Sequence, residues 1–532
     1  MIVILGGGPA GKSAALHLVH SGRKVRLIES SGIGGQCLHY GCMMVCGLTD
    51  VARTLNTSRN LFGLGVLGNP PELDFPGLMR GMRRVQEKIE RVLDEETRSA
   101  GVEVAYGREG RLQGGKVFLG NEELEAEAVI AATGSRPSLP EVDGINSRGV
   151  FTAHTLHTMK DLPEKILIIG GGIMAAEFAY IFRCFGSEVE ILARSGFLKY
   201  MDPSLRDLAK KELEGVVIRE GVQLSSIYGG SHGISVETRT RDGSSPILEA
   251  DTLFVAAGLV PRSESLEGVA KGPIGEVVVN ERMETNIPGV YACGDVTGPP
   301  CLTPIARHEG VVAAENILGR PAIMDYRFFP QYMSLANEFG FCSVESDTDI
   351  SVSVPGPAGP GSFWSVPKND TGLTKVSFEP EDGRITGIFT AAPAGGVITS
   401  YVAYMMQQGY SVHDFERFRE VHPAADGVYW LMRYASARLR EMQMQRNGDH
   451  RPPAGRRPPG GRRRGRHWRR RAPAGPSSPP PASEVSSASR SHCRGTRCRT
   501  RPAPRGLTAR RTSRRSPRPA ASPWSPSPGW GS

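Results

Sequence analysis

Hydrophobic and polar positions along the chain predict the same order of strand, helix and strand twice. The apolar run at residues 2–5 predicts a buried strand, and the Ala- and Leu-rich segment that ends near Ser21 predicts a helix. A second strand follows at residues 25–29 and ends in an acidic residue. Residues 165–192 repeat this order. Because strands and helices alternate, the pattern is typical of α/β domains with parallel sheets.

The turn between the first strand and its helix contains Gly6, Gly8 and Gly11 in the spacing GxGxxG. Glycines at these positions permit a tight turn and let a pyrophosphate approach the N-terminus of the helix. Glu29, at the end of the second strand, is placed to accept a hydrogen bond from a ribose hydroxyl. A lone GxGxxG is weak evidence, but its place between strand, helix and acid predicts a dinucleotide-binding unit.

The second unit has a related turn, which contains Gly170, Gly172 and Ala175. Its second strand ends in a small residue followed by Arg194, with Lys199 shortly after, instead of in an acid. An acid would hold the free ribose diol of NADH, whereas cations here would accept the 2′-phosphate of NADPH. We therefore expect NADPH rather than NADH. The alternative is that both cations face solvent.

Two dinucleotide-binding units in one chain predict a bound flavin, FAD, in the first unit and a nicotinamide in the second, facing each other for hydride transfer. Thr133 and Gly134 belong to a tight turn that lies either beside the first nucleotide site or at a domain exit. Gly258 closes the second unit. Asp295 follows a glycine at a strand end, where it could bind a ribityl hydroxyl or cap the next helix.

The segment at residues 34–42 holds a pair of cysteines, Cys37 and Cys42, framed by Gly35 and further glycines. Glycines let the backbone pass close to a neighbouring group. The two cysteines could close a small, reducible disulfide at the start of a helix, where the helix N-terminus also favours the thiolate. Half of a zinc site is the alternative, but it needs a second pair of ligands, and Cys46 is the only nearby candidate. A redox pair is favoured, and no metal is predicted.

Charge is distributed unevenly over the chain. The net charge of the 532 residues is +9, but the part from Gln445 onward has 22 Arg and two acidic residues, so the rest carries −11. The Arg-, Pro-, Gly- and Ser-rich composition of residues 443–532 cannot bury a core and predicts disorder. We interpret this tail as inert, or as translated out of frame, rather than as a nucleic-acid-binding arm.

The predicted first strand begins directly after Met1, which leaves no room for a signal peptide. No uncharged apolar run reaches the roughly 18–20 residues that span a bilayer. The spacing of the nine cysteines is not that of a secreted disulfide scaffold. These features predict a cytoplasmic protein without a membrane partner.

Several motifs resemble those of the pyridine nucleotide–disulfide oxidoreductase family, which includes dihydrolipoamide dehydrogenase. They are the two glycine turns, GGQCLHYGC, ATGSRP and YACGDV, and the resemblance extends from residue 1 to about residue 440. It implies a homodimer of α/β subunits, each with two Rossmann-like dinucleotide-binding domains and an α+β C-terminal dimerisation domain. The implied boundaries are 1–145 with 275–322 for the FAD domain, 146–274 for the NAD(P) domain and 323–442 for the dimerisation domain.

The resemblance also implies roles for individual residues. Cys37 would be the interchange thiol that meets substrate, and Cys42 would lie against the flavin. Asp295 and Ala306 would line the FAD. His422, followed by a proline, looks like the family's catalytic histidine, which acts as acid and base at Cys37 of the other subunit.

The chain departs from the family pattern at two places. The family's proline and lysine after the second cysteine are absent, so Glu177, which occupies the place of that lysine's partner, should raise its pKa or rotate away. Cys46 lies in this stretch and is either a third redox thiol or, by slight preference, a buried apolar filler. The glutamate that orients the catalytic histidine is replaced by Gly427, and Asp426 is the candidate substitute.

Together these features predict an FAD-dependent NAD(P)H oxidoreductase that passes electrons through a Cys37–Cys42 disulfide to a small disulfide or dithiol. The alternative is a family member that reduces a non-disulfide acceptor such as a quinone, oxygen or a metal ion. Mercuric reduction is disfavoured because no paired cysteines end the dimerisation domain.

Overall fold

The computed structural model describes residues 1–230, 233–424 and 426–446. The first unit begins with a parallel strand–helix–strand arrangement, followed by a short helix that carries Cys37 and a long helix that begins with Cys42. Its elements are β1 (Ile2–Leu5), α1 (Pro9–His20), β2 (Val25–Glu29), α2 (Gly35–His39), α3 (Cys42–Gly63), α4 (Phe75–Ser99), β3 (Glu103–Tyr106), β4 (Gly110–Gln113), β5 (Lys116–Leu119), β6 (Glu122–Leu124), β7 (Ala128–Ala131) and β8 (Ser135–Pro137).

The second unit repeats the arrangement, as the hydrophobic pattern predicts. Its elements are β9 (Val150–Thr152), β10 (Lys165–Ile169), α5 (Ile173–Phe185), β11 (Glu188–Ala193), α6 (Pro203–Glu212), β12 (Val217–Glu220), β13 (Gln223–Gly230), β14 (Gly233–Arg239), β15 (Ile247–Ala250), β16 (Thr252–Val255) and β17 (Leu259–Pro261). The parallel sheet has the order β12-β11-β10-β16-β9, and β13, β14 and β15 form a separate antiparallel sheet.

The chain then returns to the first unit through β18 (Val290–Ala292) and α7 (Thr303–Ile317). β18 pairs in parallel with β7 and completes a sheet of order β18-β7-β1-β2-β3. α7 packs against α1 at very short range, because Gly310 has no side chain: a Cβ there would lie 2.3 Å from the carbonyl oxygen of Ala10. The closeness of these two helices therefore depends on a glycine.

The C-terminal unit is an antiparallel sheet covered by two helices, in agreement with the predicted α+β domain. Its sheet has the order β19-β20-β23-β22-β21. The elements are β19 (Gln331–Ser334), β20 (Glu338–Ser343), β21 (Ile350–Pro355), β22 (Leu373–Phe378), β23 (Ile385–Ala392), α8 (Gly395–Gln407) and α9 (Asp426–Arg446). α9 extends to Arg446, past the predicted start of the tail at residue 443, and residues 447–532 lie outside the described part.

One apolar core joins the three units. Met44 and Leu48 of α3 belong to the same buried cluster as Phe178 and Phe182 of α5 and Phe339 of β20. α5 is consequently apolar around most of its circumference, as expected for a helix without a solvent face. This packing sets the position of the second unit relative to the helix that begins with Cys42.

The α1–α7 contact yields a stability prediction. Gly310→Ala should lower the free energy of unfolding by roughly 1–3 kcal/mol, because its Cβ would press on the backbone of α1, which cannot move aside cheaply. Urea unfolding followed by circular dichroism measures the change. Gly63→Ala is the matched control, since a Cβ at Gly63 meets nothing within 4 Å; equal destabilisation of both variants would contradict the prediction.

Candidate active site

A cleft of about 590 Å³ lies between the first glycine turn and the cysteine segment. Its volume is within the range of small-molecule and cofactor sites. Most residues predicted for the first nucleotide site line this cleft, namely Gly6, Gly8, Glu29, Gly35, Cys37, Cys42, Thr133, Gly134, Asp295 and Ala306. Gly11 supports the turn from behind: a Cβ there would lie 2.0 Å from the carbonyl oxygen of Gly6.

Glycine backbones form the floor of the cleft. Gly6 has φ = +108°, and a Cβ there would lie 2.2 Å from the carbonyl oxygen of Ala132. Gly35 lies so near the first turn that its Cβ would be 2.8 Å from the Cα of Gly8. The first turn of α1 has no side-chain cap, so its N–H groups are available to an anion. This cradle, which any side chain would fill, fits the pyrophosphate of a dinucleotide.

Glu29 is held rigidly at the end of β2. One carboxylate oxygen accepts a hydrogen bond from the N–H of Gly7 at 2.7 Å, and the other accepts from the N–H of Ser31 at 2.8 Å. The side chain is buried but borders the cleft. Its orientation fits the predicted contact with a ribose hydroxyl.

Asp295 faces the opposite wall of the cleft. It accepts a hydrogen bond from the Ser135 hydroxyl at 2.7 Å, and burial raises the pKa of its carboxyl. The turn of residues 295–297 is preceded by Gly294, with Ala306 packed nearby. Of the two roles predicted for Asp295, a hydroxyl-binding group in the cleft fits this placement better than a helix cap.

The two cysteines lie on consecutive helices at the inner end of the cleft. Cys37 is half-buried in α2, and Cys42 is the first residue of α3 and is exposed to the cleft; both are thiols in this structure. The Cys42 sulfur lies 3.7 Å from the hydroxyl of Thr303. The predicted redox pair is thus brought to the nucleotide cleft.

A hydrogen bond from the Cys42 thiol to the Cys37 sulfur makes the two cysteines different. The hydrogen bond from Cys42 is the largest influence that lowers the pKa of Cys37 to about 6; Thr303 and the positive charge of Arg307 add to it, while partial burial opposes it. The pKa of Cys42 is raised, because it donates to Cys37 and would become a second anion beside it. Cys37 is therefore the nucleophilic thiolate of the pair near neutral pH.

Sequence reasoning missed a set of side chains around the pair. Gln36 hydrogen-bonds His154 at 2.9 Å, and the ring of Tyr40 stacks on His154 with centroids 4.3 Å apart. Burial and the nearby charge of Arg262 lower the pKa of His154 to about 4, so the imidazole is neutral. Gln36 and Tyr40 stand inside the cysteine motif, but nothing local signals that His154 reaches them.

The second glycine turn repeats the cradle. Gly170 has φ = +136°, and a Cβ there would lie 2.2 Å from the carbonyl oxygen of Ala256. Gly172 precedes α5, whose first turn has no side-chain cap, and Ala175 is buried in that turn. Gly258 has φ = +104°. The turn fits a second dinucleotide on the same grounds as the first.

Arg194 and Lys199 follow β11 and are exposed. The Lys199 ammonium lies 4.6 Å from the centroid of the Tyr200 ring. Their exposure is compatible with a 2′-phosphate contact and with a solvated surface, so NADPH preference stays a prediction.

Glu177 and Cys46 occupy the place where the chain departs from its family pattern. Glu177 is buried, accepts a hydrogen bond from the N–H of Ser334 at 2.8 Å, and burial raises its pKa to about 8. The direction agrees with the predicted rise, but its main cause is burial, whereas the prediction gave the missing lysine as the cause. Cys46 is exposed, so the interpretation of it as a buried filler is wrong. It lies on the face of α3 that carries Cys42, whereas Met44 and Val45 point into the core.

His422 and Asp426, which are predicted to act at the other subunit, are not among the described residues that line this cleft. His422 belongs to the exposed segment before α9. Asp426 begins α9, but its side chain lies outside the described part. Their roles stay predictions.

Residues 1–230, 233–424 and 426–446 contain neither a metal-binding cluster nor a membrane-spanning helix. No group of three or more His, Cys, Asp or Glu side chains in this part is placed to hold a metal ion. None of its helices is both long enough and apolar enough to cross a membrane.

Comparisons with known proteins agree on one family. Residues 1–310 match the protein-family model described as pyridine nucleotide-disulphide oxidoreductase. An uncharacterized protein of Methanocaldococcus jannaschii is 30% identical over 442 residues, which are 80% of this chain and 96% of that protein. Dihydrolipoyl dehydrogenase of Thermus scotoductus is 29% identical over 450 residues, 79% of this chain and 94% of the relative.

A solved structure shows the same fold. LpdA from Mycobacterium tuberculosis superposes with a TM-score of 0.74 at 22% identity, covering 81% of this chain and 99% of that chain. The predicted combination of two Rossmann-like units and an α+β C-terminal domain is confirmed.

The hydrogen bond from Cys42 predicts how Cys37 reacts. In the reduced protein, alkylation of Cys37 by iodoacetamide should titrate near pH 6, because the thiolate is the reactive form. Cys42→Ala removes the hydrogen-bond donor, so the apparent pKa of Cys37 should rise toward the ordinary value of 9.0. Peptide mass spectrometry measures the rate at each pH.

Cys46→Ala is the control, since it lies one helical turn beyond Cys42 and leaves the donor in place. A Cys37 profile that is the same in Cys42→Ala and in the wild type would contradict this role of the hydrogen bond.

Proposed function

The chain belongs to the pyridine nucleotide–disulfide oxidoreductase family, and we propose that it uses NAD(P)H to reduce the Cys37–Cys42 pair, which in turn reduces a small disulfide. One observation carries the proposal: both thiols line the cleft beside the first glycine turn. The lowered pKa of Cys37, to which a hydrogen bond from Cys42 contributes most, supports Cys37 as the nucleophile. Members of the family bind FAD and NAD(P)H.

The residues of the first cleft supply the contacts that FAD needs. The backbones of Gly6, Gly8 and Gly35 would take the pyrophosphate, Glu29 a ribose hydroxyl, and Asp295 a ribityl hydroxyl. When bound, FAD accepts a hydride from the nicotinamide and supplies two electrons for the disulfide.

Reduction of the pair consumes one NAD(P)H and one proton, breaks the Cys37–Cys42 bond and leaves two thiols. The Cys37 thiolate then attacks one sulfur of the substrate disulfide, and the first substrate thiolate departs. Cys42 next attacks the Cys37 sulfur, which releases the second substrate thiolate and restores the internal disulfide.

Cys42 must lose its proton before it can attack. Once Cys37 is bonded to the substrate sulfur it no longer raises the pKa of Cys42, but burial still disfavours the Cys42 thiolate. We propose that His422 of the partner subunit takes this proton in a homodimer, with Asp426 as the orienting carboxylate. An imidazole suits the task because it titrates near neutrality. The family resemblance supports this assignment.

The similarity to dihydrolipoyl dehydrogenase supports a small dithiol or disulfide of that kind as substrate. The proposed exchange reaction requires only a substrate disulfide that Cys37 can reach. A non-disulfide acceptor would not need Cys37, so turnover that survives in Cys37→Ser would replace this proposal with the alternative acceptor.

A count of thiols tests the proposal. Anaerobic addition of NADPH to the oxidised, FAD-loaded protein should raise the number of titratable thiols by two per chain, because one disulfide is reduced. Cys42→Ser cannot form the disulfide, so NADPH should add none. Ellman's reagent measures the thiols after rapid removal of nucleotide.

Cys46→Ser is the matched control on the same helical face, and NADPH should still add two thiols to it. An increase that persists in Cys42→Ser, or that is absent from the wild type, would refute reduction through the Cys37–Cys42 bond.

The cations after β11 yield a prediction about the nucleotide. Arg194→Glu should raise the KM for NADPH by roughly 10- to 100-fold, the worth of a lost charge-assisted contact, and leave the KM for NADH nearly unchanged. Steady-state kinetics with both nucleotides measure the effect.

Arg148→Glu makes the same charge change just before β9, at the opposite edge of the parallel sheet, and should alter neither KM. If Arg194→Glu affects both nucleotides equally, the 2′-phosphate assignment is wrong.

A further inference from the structure

The turn between β19 and β20, residues 334–338, is held by side chains from two helices of the second unit. Glu177 of α5 accepts a hydrogen bond from the N–H of Ser334 at 2.8 Å. Glu212 of α6 accepts from the N–H of Asn337 at 3.1 Å and from its side-chain amide at 2.7 Å. Both carboxyl groups are buried.

Arg53 of α3 holds the same turn from the first unit. Its Nε donates to the carbonyl oxygen of Leu335 at 2.5 Å, and a terminal nitrogen donates to the carbonyl oxygen of Asn337 at 3.1 Å. Two N–H groups of the turn therefore donate to carboxyl groups, and two of its carbonyl groups accept from one guanidinium. All three units of the fold meet at these five residues.

Arg53 also shares a helical face with the reactive cysteines. Cys42, Cys46 and Arg53 follow one another along α3 at spacings of four and seven residues, which place side chains on one side of a helix. Glu177 of α5 faces this row: the charge of Arg53 lowers the pKa of Glu177, and that of Cys42 raises it. Glu177 and Arg53 therefore link this face of α3 to the turn of residues 334–338.

We propose that Arg53 is a positioning residue, which holds the turn of residues 334–338 against α3 and thereby fixes the Glu177 carboxyl beside Cys42 and Cys46. In this chain, Arg53 supplies from three helical turns away the positive charge that the family's lysine would supply. Its two-carbonyl contact makes the position of α5, and of the nicotinamide-binding turn at its start, depend on the helix that carries Cys42.

Cys46 is a reporter of this arrangement. Partial burial raises the pKa of Cys46, and Cys42, Glu177 and Asp50 raise it further, whereas Arg53 lowers it. The groups that face Glu177 are the N–H of Ser334, Cys42, Cys46 and Arg53. The groups that face Glu212 are Asn337 and, by its charge, Asp370. Loss of Arg53 should leave the charges of Glu177 and Asp50 unopposed at Cys46.

The pH dependence of Cys46 alkylation tests the electrostatic part in the intact FAD-loaded protein. In Arg53→Gln the alkylation profile of Cys46 should move to higher pH, because the opposing cation is gone. In Arg53→Lys the profile should stay near that of the wild type, because the charge remains. Iodoacetamide labelling and peptide mass spectrometry follow Cys46 separately from Cys37 and Cys42.

The rate of NADPH-dependent thiol formation tests the positioning part, and this readout rests on the proposed function. Both Arg53→Gln and Arg53→Lys should slow it by roughly tenfold or more, because lysine cannot contact two carbonyl groups as the guanidinium does and small misplacements slow reactions steeply. Arg59→Gln is the matched control. Arg59 lies on the same helix and ties it to α5 directly, by a hydrogen bond to the carbonyl oxygen of Cys184 at 2.5 Å, so it tests whether any link between α3 and α5 has the effect that we assign to the turn of residues 334–338.

Three results would overturn the inference: an unchanged Cys46 profile in Arg53→Gln, wild-type behaviour of Arg53→Lys in both assays, or the same losses in Arg59→Gln. Failure of the proposed function is distinguishable, because it would abolish thiol formation in the wild type while the alkylation shift of Arg53→Gln remained.

Discussion

The close approach of two backbones, at Gly8 and Gly35, is the constraint on which the site depends. The first turn, whose shape fits a pyrophosphate, and the segment that carries Cys37 can meet because Gly35 has no side chain there. A Cβ at Gly35 would reach the Cα of Gly8 at 2.8 Å, so even alanine would separate the two segments. The shape of the cleft and the position of the two cysteines therefore depend on the same backbone contact.

Buried carboxyl groups hold the second unit in place. Glu177 and Glu212 each accept a hydrogen bond from the backbone of the same turn in the C-terminal sheet. Burial raises the pKa of Glu177 to about 8 and that of Glu212 to about 7. Burial therefore favours the protonated form of both groups, and protonation lowers the cost of burying them without a full ion pair.

The sequence allowed prediction of the features that local patterns encode. Strand–helix alternation and glycine spacing were enough for both nucleotide units, and the cysteine spacing was enough for the redox pair. The contacts of His154 and Arg53 could not be predicted, because their partners lie more than a hundred residues away and no periodicity connects them. Cys46 was misjudged because cysteine is usually buried, whereas its place on α3, one turn after Cys42, faces away from the core. The role proposed for His422 involves a second subunit, which the sequence of one chain does not place.

The hydrogen bond from Cys42 to Cys37 makes the two thiols chemically unlike each other. It lowers the pKa of Cys37 and raises that of Cys42, so the first proton leaves the pair more readily than the second. The reduced pair therefore carries a single negative charge between two separate ionisations instead of losing both protons together. Between those ionisations, the pH dependence of turnover reflects the groups that move protons rather than the thiol that attacks.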